Sequence, residues 1–340
     1  MALNFTAVYA VEDSSQASAA RRAALEFAQS IGFSEARAGQ AALVASELAS
    51  NLAKHATGGE LVVSAVRKNG GAGPADGLEI VAMDRGPGMP DVTRARRDGY
   101  STAGTLGHGL GSIERQSDFF QIYSQPSGTV AMARLWSQPP APSPRQPLYE
   151  IGSVLVSHPG EEICGDDWGW TMRDERFAIM VADGLGHGLS AHDAAAEALT
   201  VFHGVHEEPP ARVISDVHAA LRATRGAAVA MVAVDTDREI ASFCGLGNIA
   251  TVVIGPDGSR HGMISHNGTA GHVASRINEF TYPFRSDFML VMFSDGLTSH
   301  WDLSAYPGLA TRHPTVIAGL LYRDFSRRRD DVTVVVAKRR

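Results

Sequence analysis

The sequence predicts an α/β (α+β) protein of two domains, the first an α/β sandwich with helices on one face of a mixed sheet. Three observations carry this. Apolar residues make up 44% and charged residues 20% of 340 residues. That is the composition of a core-forming chain long enough for about two domains. Over the first part of the chain, segments of helical and strand period follow in the order helix, helix, strand, strand, helix, strand, strand. A seam, SQPPAPSPRQP at Ser137–Pro147, then interrupts with five prolines. Proline removes backbone donors and favours extended polyproline geometry, so the seam reads as a semi-rigid spacer. The expected division is residues 1–136, a linker at 137–147, and residues 148–340.

Each element has its own local cause. SSQASAARRAALEFAQSIG opens on serine caps and is rich in alanine, and a second helix runs over Ser34–Ala56 with apolar residues at helical spacing. ELVVSAVRK and GLEIVAMD read as strands around the loop NGGAGPAD. GSIERQSD is a short helix, and FFQIYSQ and TVAMARLW form a pair around PSG. The second domain opens on the strand YEIGSVLVS and continues through ICGDDWGW to the buried strand FAIMVAD. An alanine-rich helix follows, then a helix over Pro210–Thr224 with proline at its start. Strands are expected at AAVAMVAVD, IASFCGL, TVVIG and DFMLVMF, a helix at Thr315–Arg327, and a last strand in RRDDVTVVVAKRR.

Charge and composition exclude several classes. Net charge is −7, with 12 basic against 13 acidic side chains in the first domain and 17 against 24 in the second. Neither half is basic, so nucleic acid is not expected as a partner. No apolar run approaches the roughly 18 residues of a membrane span, and MALNFTAVYAVEDSS lacks the basic start of a secretory signal. Two cysteines, Cys164 and Cys244, make neither a disulfide framework nor a zinc cluster. A cytoplasmic protein with no membrane partner is expected.

LGHGL occurs twice, at Leu106–Leu110 and Leu185–Leu189, in different company. Around the first, ELASNLAKHA places Glu47 and Asn51 four apart on one helix face, with Lys54 and His55 following. Carboxylate beside carboxamide suits proton abstraction and magnesium coordination, and it also suits a plain charged face. DRGPGM puts Asp84 at a strand end before two glycines, an arrangement open to a flat ligand or to an ordinary turn. TLGHGLGS frees several N–H groups just before a helix, where phosphate binds well.

Around the second LGHGL, aspartates recur at strand ends or beside glycine: Asp166, Asp183, Asp295 and Asp330. Turns favour aspartate and glycine in any case. Four carboxylates at neighbouring strand mouths would repel one another, and divalent cations resolve that conflict. Oxygen-only ligands select Mg²⁺ or Mn²⁺ over Zn²⁺, and two such ions can activate water against a phosphate ester.

Taken in order, ELASNLAKHA, DRGPGM and LGHGLGS resemble the N box and two glycine boxes of the GHKL ATPase family. The short stretch Pro90–Thr105 between the glycine boxes resembles its RsbT-like, anti-sigma-type serine kinases. The resemblance implies ATP and Mg²⁺ as cofactors, Glu47 polarising an acceptor serine and Asn51 holding Mg²⁺. It implies Asp84 on the adenine amine, with Gly86 and Gly88 shaping the pocket and Thr129 beside the adenine. Gly107, Gly109 and Gly111 would hold phosphates; Lys54 would contact a phosphate or stand on the surface.

CGDDW, VADGLGHG, FSDGLT and RDDVTVVV likewise resemble the motifs of PPM-type serine/threonine phosphatases of the SpoIIE branch, a β-sandwich flanked by helices. By that resemblance Asp183 bridges two Mn²⁺ or Mg²⁺ ions and the Gly184 carbonyl is a further ligand. Asp166, Asp295 and Asp330 complete the shells, with Asp167 an alternative to Asp166 and Asp331 a second choice to Asp330. His187 either donates a proton to the leaving serine or packs at the helix entry. Cys164 either ligates or oxidises, or is a structural thiol.

Together the two resemblances imply a bifunctional partner-switching regulator acting on a STAS-domain anti-sigma antagonist, with an anti-sigma or sigma factor as a further partner. Two other readings stay open: a first domain that only senses nucleotide and regulates the phosphatase, and a non-enzymatic scaffold.

Overall fold

The computed structural model describes residues 6–68, 70–71, 73–95, 109–138, 148–173 and 176–340. In the N-terminal half, strands β1 (Thr6–Val11), β2 (Gly59–Val66), β3 (Gly77–Met83), β4 (Phe119–Gln125) and β5 (Gly128–Trp136) form one sheet in the order β1-β2-β3-β5-β4. Helices α1 (Ser14–Ser30), α2 (Glu35–His55), the single turn α3 (Val92–Ala95) and α4 (Gly109–Gln116) complete this half. Asp13 caps α1 in a reciprocal box with Gln16, and Ser34 caps α2. Every pairing in the sheet is antiparallel, so the expected mixed sheet is corrected. β3 and β4 do run the same way, but the β4–β5 hairpin puts β5 between them. β1 was not expected at all; its six residues pair along the edge with β2.

The C-terminal half comprises β6 (Tyr149–Val156), β7 (Asp166–Arg173), β8 (Arg176–Gly184), β9 (Ala227–Asp235), β10 (Ile240–Leu246) and β11 (Ala250–Ile254). It continues with β12 (Arg260–Gly262), β13 (Gly268–Thr269), β14 (Val273–Ala274), β15 (Phe280–Pro283), β16 (Met289–Phe293) and β17 (Val332–Arg339). Two five-stranded antiparallel sheets result, ordered β15-β10-β9-β8-β7 and β12-β11-β16-β17-β6, with β13 and β14 a separate hairpin. Their facing surfaces share a core that includes Ile179, Val232, Phe243, Phe284, Met292 and Val335. α5 (Leu189–Val205) and α6 (Pro210–Ala220) cover the outside of the first sheet.

The outside of the second sheet is covered by α7 (Pro314–Phe325), and α7 is also covered on its far side. Val62, Val81, Met83, Tyr123, Val130 and Met132 of the N-terminal sheet belong to the same buried cluster as Ile317, Leu320 and Leu321 of α7. The N-terminal sheet therefore carries α1, α2 and α4 on one face and a helix of the other half on its second face. Layer order through the molecule is helices, sheet, α7, sheet, sheet, helices.

Polar ties fasten this junction. Thr315 Oγ1 donates to buried Glu79 at 3.0 Å, and Glu79 also accepts from Arg134 Nε at 2.8 Å. Arg328 Nη2 donates to Glu60 at 2.8 Å, and Gly71 N–H donates to the Trp170 carbonyl at 2.8 Å. Among the described residues, no helix is long and apolar enough to cross a membrane.

Candidate functional site

Two polar centres form, one in each half. In the N-terminal half, α2 is the organising element. Asn51 lies one turn beyond Glu47, and both are half-buried. Gly109, the first residue of α4, sits beside Asn51: a Cβ placed there would lie 3.8 Å from Asn51 Oδ1. The helix start carrying the second glycine box is thus brought to the acidic face of α2. Gly111 is buried within α4. Gly107 lies outside the described residues. Lys54 is exposed in the last turn of α2.

The first glycine box closes onto the end of α2. Arg85 N–H donates to the Thr57 carbonyl at 3.0 Å, and a Cβ on Gly86 would lie 3.0 Å from the His55 carbonyl oxygen. Asp84 Oδ1 accepts from Gly86 N–H at 2.7 Å. Burial lifts the Asp84 carboxyl above its usual range, while the Gly86 N–H and the Arg323 guanidinium hold it down. Asp84 and Thr129 exchange backbone hydrogen bonds at 3.0 and 3.2 Å, and Thr129 Oγ1 shares one with Ser124 Oγ at 2.8 Å. Asp84, Gly86 and Thr129 therefore belong to one small polar cluster.

Gly88 has φ +68, and a Cβ there would overlap the Gln125 carbonyl. A side chain at this position meets both a disfavoured backbone region and a hard obstacle. Gly88→Val is expected to destabilise the chain by about 1–3 kcal/mol. It should also abolish binding of a fluorescent adenine nucleotide, measured against a thermal melt of the same sample.

The second centre lies at the mouth of the β-sandwich. β7 and β8 pair so that Asp166 faces Asp183 directly, and therefore both side chains leave the same face. Asp295 follows β16 by two residues and Asp330 precedes β17 by two, so adjacent strands deliver both to the same mouth. Asp331 joins them: it is 3% exposed, and its Oδ1 accepts from His158 N–H at 2.8 Å.

Charge repulsion records the clustering. Burial is the first cause pushing the Asp183 carboxyl up to about 9, followed by Asp166, Asp295, Asp330 and Asp331. Burial likewise pushes Asp166 up to about 7; the Ser294 hydroxyl opposes this and Asp331 adds to it. Asp295 is raised by burial and by Asp330, and lowered by Arg327 and by Asn248. Asn248 Nδ2 donates to Asp295 Oδ2 at 2.8 Å.

Asp166, at 2% exposure, has only the Ser294 and Thr333 hydroxyls to offset its burial and the repulsion of Asp331 and Asp295. Buried acceptors left this way call for a cation. The donor set is all oxygen, which fits Mg²⁺ or Mn²⁺. Among the described residues, no three such side chains yet close around one ion-sized point.

Strand alternation separates Asp166 from Asp167. Asp167 leaves the opposite face, where Arg67 of the N-terminal half faces it, and its Oδ1 accepts from Trp168 N–H at 2.8 Å. Gly184 is a glycine for packing, since a Cβ would overlap the Ala191 carbonyl in α5. Cys164 is buried, its thiol pushed well up by that burial, with Sγ 3.5 Å from the Val156 carbonyl; it is a structural thiol.

A cavity of about 580 Å³ opens over this centre. Asp183, Asp295 and Asp330 line it together with His158, His187, Asn248 and Arg329. His187 Nδ1 bonds Glu161 Oε1 at 2.7 Å, and its ring stacks on His158 with centroids 4.4 Å apart. Sequence reading missed His158, Glu161, Asn248 and Arg329. The first two lie in SHPGEE, between elements, with no periodic signal to single them out.

Comparison with known proteins matches each half of the chain to a family. The family described as histidine kinase-like ATPase domain matches residues 11–135. That described as stage II sporulation protein E matches residues 173–340. Serine/threonine-protein kinase RsbT of Bacillus subtilis (strain 168) is 35% identical over 119 residues, covering 35% of this chain and 86% of its own. Phosphoserine phosphatase RsbX of the same organism is 22% identical over 138 residues, covering 41% of this chain and 69% of its own. A solved chain of the bacterial stressosome shares the fold at TM-score 0.53 and 24% identity, over 56% of this chain and 99% of its own. RsbX solved in complex with magnesium does so at 0.50 and 17%, over 65% and 100%.

Proposed function

This chain belongs, through its N-terminal half, to the RsbT serine/threonine kinase family and carries a SpoIIE-type PPM phosphatase domain in its C-terminal half; from that premise we propose that it is a partner-switching regulator that phosphorylates and dephosphorylates serine on a STAS-domain protein. One observation carries the phosphatase half of the reading: Asp183, Asp295 and Asp330 line one cavity, and buried Asp166 faces Asp183 across the strand pair and repels it.

Asp166, Asp183, Asp295, Asp330 and the Gly184 carbonyl would hold two Mn²⁺ or Mg²⁺ ions, with Asp331 close behind. Bound ions of this kind supply an activated water and neutralise phosphate charge. The chain's own groups do the rest. Asn248 orients the Asp295 carboxylate. An imidazolium at His187, paired with Glu161, would give its proton to the seryl oxygen as the P–O bond breaks.

His187→Gln is therefore expected to slow phosphoserine hydrolysis by about a hundredfold. It should slow an aryl phosphate, whose leaving group needs no proton, much less. Equal losses on both substrates would assign His187 to packing instead.

In the N-terminal half, Asp84 would accept from the adenine amine, and the start of α4 would face the phosphates. Asn51 would hold Mg²⁺, and Glu47 would take the acceptor serine's proton as its oxygen bonds to the γ-phosphorus and the bond to the β-phosphate oxygen breaks. The test is one purified chain assayed twice. With Mn²⁺ it should release phosphate from a phosphoserine STAS protein, and with Mg-ATP it should phosphorylate the unmodified form. Absence of both reactions, with several STAS proteins tried, would overturn the assignment.

A further inference from the structure

The two centres meet in one helix. Arg323, in the last turn of α7, is 2% exposed and lies in the C-terminal half. Its Nη1 donates to the Asp84 carbonyl at 3.0 Å, across the junction and directly beneath the first glycine box. Its Nε and Nη2 donate to Asp324 at 2.8 Å each, and Tyr306 Oη donates to the same carboxylate at 2.9 Å. A Cβ on Gly128, next to Thr129, would lie 2.7 Å from Nη1. The guanidinium thus packs against the paired backbone of Asp84 and Gly128–Thr129.

The other end of the link lies within eight residues. Thr298 N–H donates to the Phe325 carbonyl at 3.0 Å, and Arg327 N–H donates to the Gly296 carbonyl at 2.8 Å. Those bonds tie the end of α7 to the turn that follows Asp295. The chain then runs through Arg328, anchored on Glu60, into Arg329 and Asp330, which line the phosphatase cavity. Every residue of α7 from Pro314 to Arg323 is buried, between one sheet of each half. A helix packed so closely shifts as a unit, since dense packing leaves it no room to deform locally.

Resting on the assignment of the two centres above, we propose that Arg323 is a positioning residue: through α7 it makes the placement of Asp295, Arg329 and Asp330 depend on whether a nucleotide occupies the Asp84 pocket. An adenine bound to the Asp84 carboxylate fixes the strand end whose carbonyl holds Arg323. That sets the end of α7 and the two loops bonded to it.

The test uses the full chain with a non-hydrolysable ATP analogue at constant Mg²⁺ and Mn²⁺. Three readouts are taken: analogue affinity, kcat and KM for an aryl phosphate, and hydrogen exchange of amides 325–331. In the wild type, saturating analogue should change kcat/KM by about fivefold or more. It should also alter exchange at 325–331. In Arg323→Lys, too short and unforked to hold Asp84 and Asp324 together, both responses should shrink toward none when read at saturating analogue and relative to the variant's own rate without analogue. Arg328→Ala, at a partly exposed position, covers the case in which Arg323→Lys melts; it should weaken the same two responses. Wild-type hydrolysis and exchange indifferent to bound analogue would overturn the proposal and leave the two activities standing. Responses retained in full by a folded Arg323→Lys would overturn it as well. A wild type that binds no analogue, or hydrolyses nothing, would instead overturn the assignment of the centres, and the proposal with it.

Discussion

Asp183→Asn is expected to reduce phosphate release by at least about a thousandfold while leaving the fold intact. The substitution keeps shape and volume and removes one charge. Asp183 is the carboxylate on which Asp166, Asp295, Asp330 and Asp331 all act, so it stands at the centre of the acidic cluster. Losing it would remove one of the carboxylates proposed to hold the ions. The magnitude reflects loss of the metal-activated water that such a site would supply. Hydrolysis by the variant within tenfold of wild type would remove the cluster from the reaction.

The same variant carries a stability signature of known sign. With chelator present, the folded Asp183 carboxyl titrates near 9, and an unfolded one titrates in the ordinary carboxylate range near 3.9. Between those values the folded chain binds more protons than the unfolded chain. Stability from this group is therefore fully present below the unfolded value and is lost as pH rises through the folded one. The carboxamide of the Asp183→Asn variant does not titrate. Ion-free wild type should thus lose melting temperature relative to the variant as pH rises from 5 to 8. Adding Mn²⁺ should raise the wild type's melting temperature well above the variant's, because only the native wild-type site binds tightly. Equal Mn²⁺ effects on both proteins at pH 8 would contradict a shared ion at this position.

How much of this was legible in the sequence depends on the range of the signal. The strand-end aspartates and both glycine boxes are local patterns; β-pairing sets Asp166 opposite Asp183, and the two glycine boxes each adjoin α2. The choice between Asp166 and Asp167 depends on strand register, which no local pattern states. Trp168 and Trp170 alternating with Gly169 and Thr171 does mark a strand, but only pairing with β8 aims Asp166 at Asp183. GLEIVAM was the overlooked clue. A strand apolar on both faces must be covered on both, and the helices of its own half cover only one. PTVIAGLLYRDF, apolar around nearly its whole circumference, was its counterpart. The two lie more than two hundred residues apart, and a proline-rich seam between them reads as a separator. Arg323 meeting Asp84 follows from that junction and from nothing local.

Glu47→Ala is expected to stop phosphate transfer to an unmodified STAS protein, by about 10²–10⁴-fold, with Mg-nucleotide binding retained. Glu47 and Asn51 share a face of α2, but only Asn51 adjoins Gly109 at the start of α4. On the proposed reading the nucleotide end of the face would be Asn51, and Glu47, one turn away, would face the acceptor. Asn51→Ala should accordingly weaken nucleotide binding, and Glu47→Ala should not; isothermal titration separates the two. Glu47→Gln should behave like the alanine variant, because it keeps the hydrogen bond but not the base. Full transfer by Glu47→Gln with intact binding would mean that the serine loses its proton elsewhere. Phosphate release provides the internal control. Since Glu47→Ala leaves the nucleotide bound, whatever α7 transmits from Asp84 is unchanged, and the variant's phosphatase rate should match wild type at every nucleotide concentration. A fall in both activities would instead point to a damaged α2, and circular dichroism would then show it.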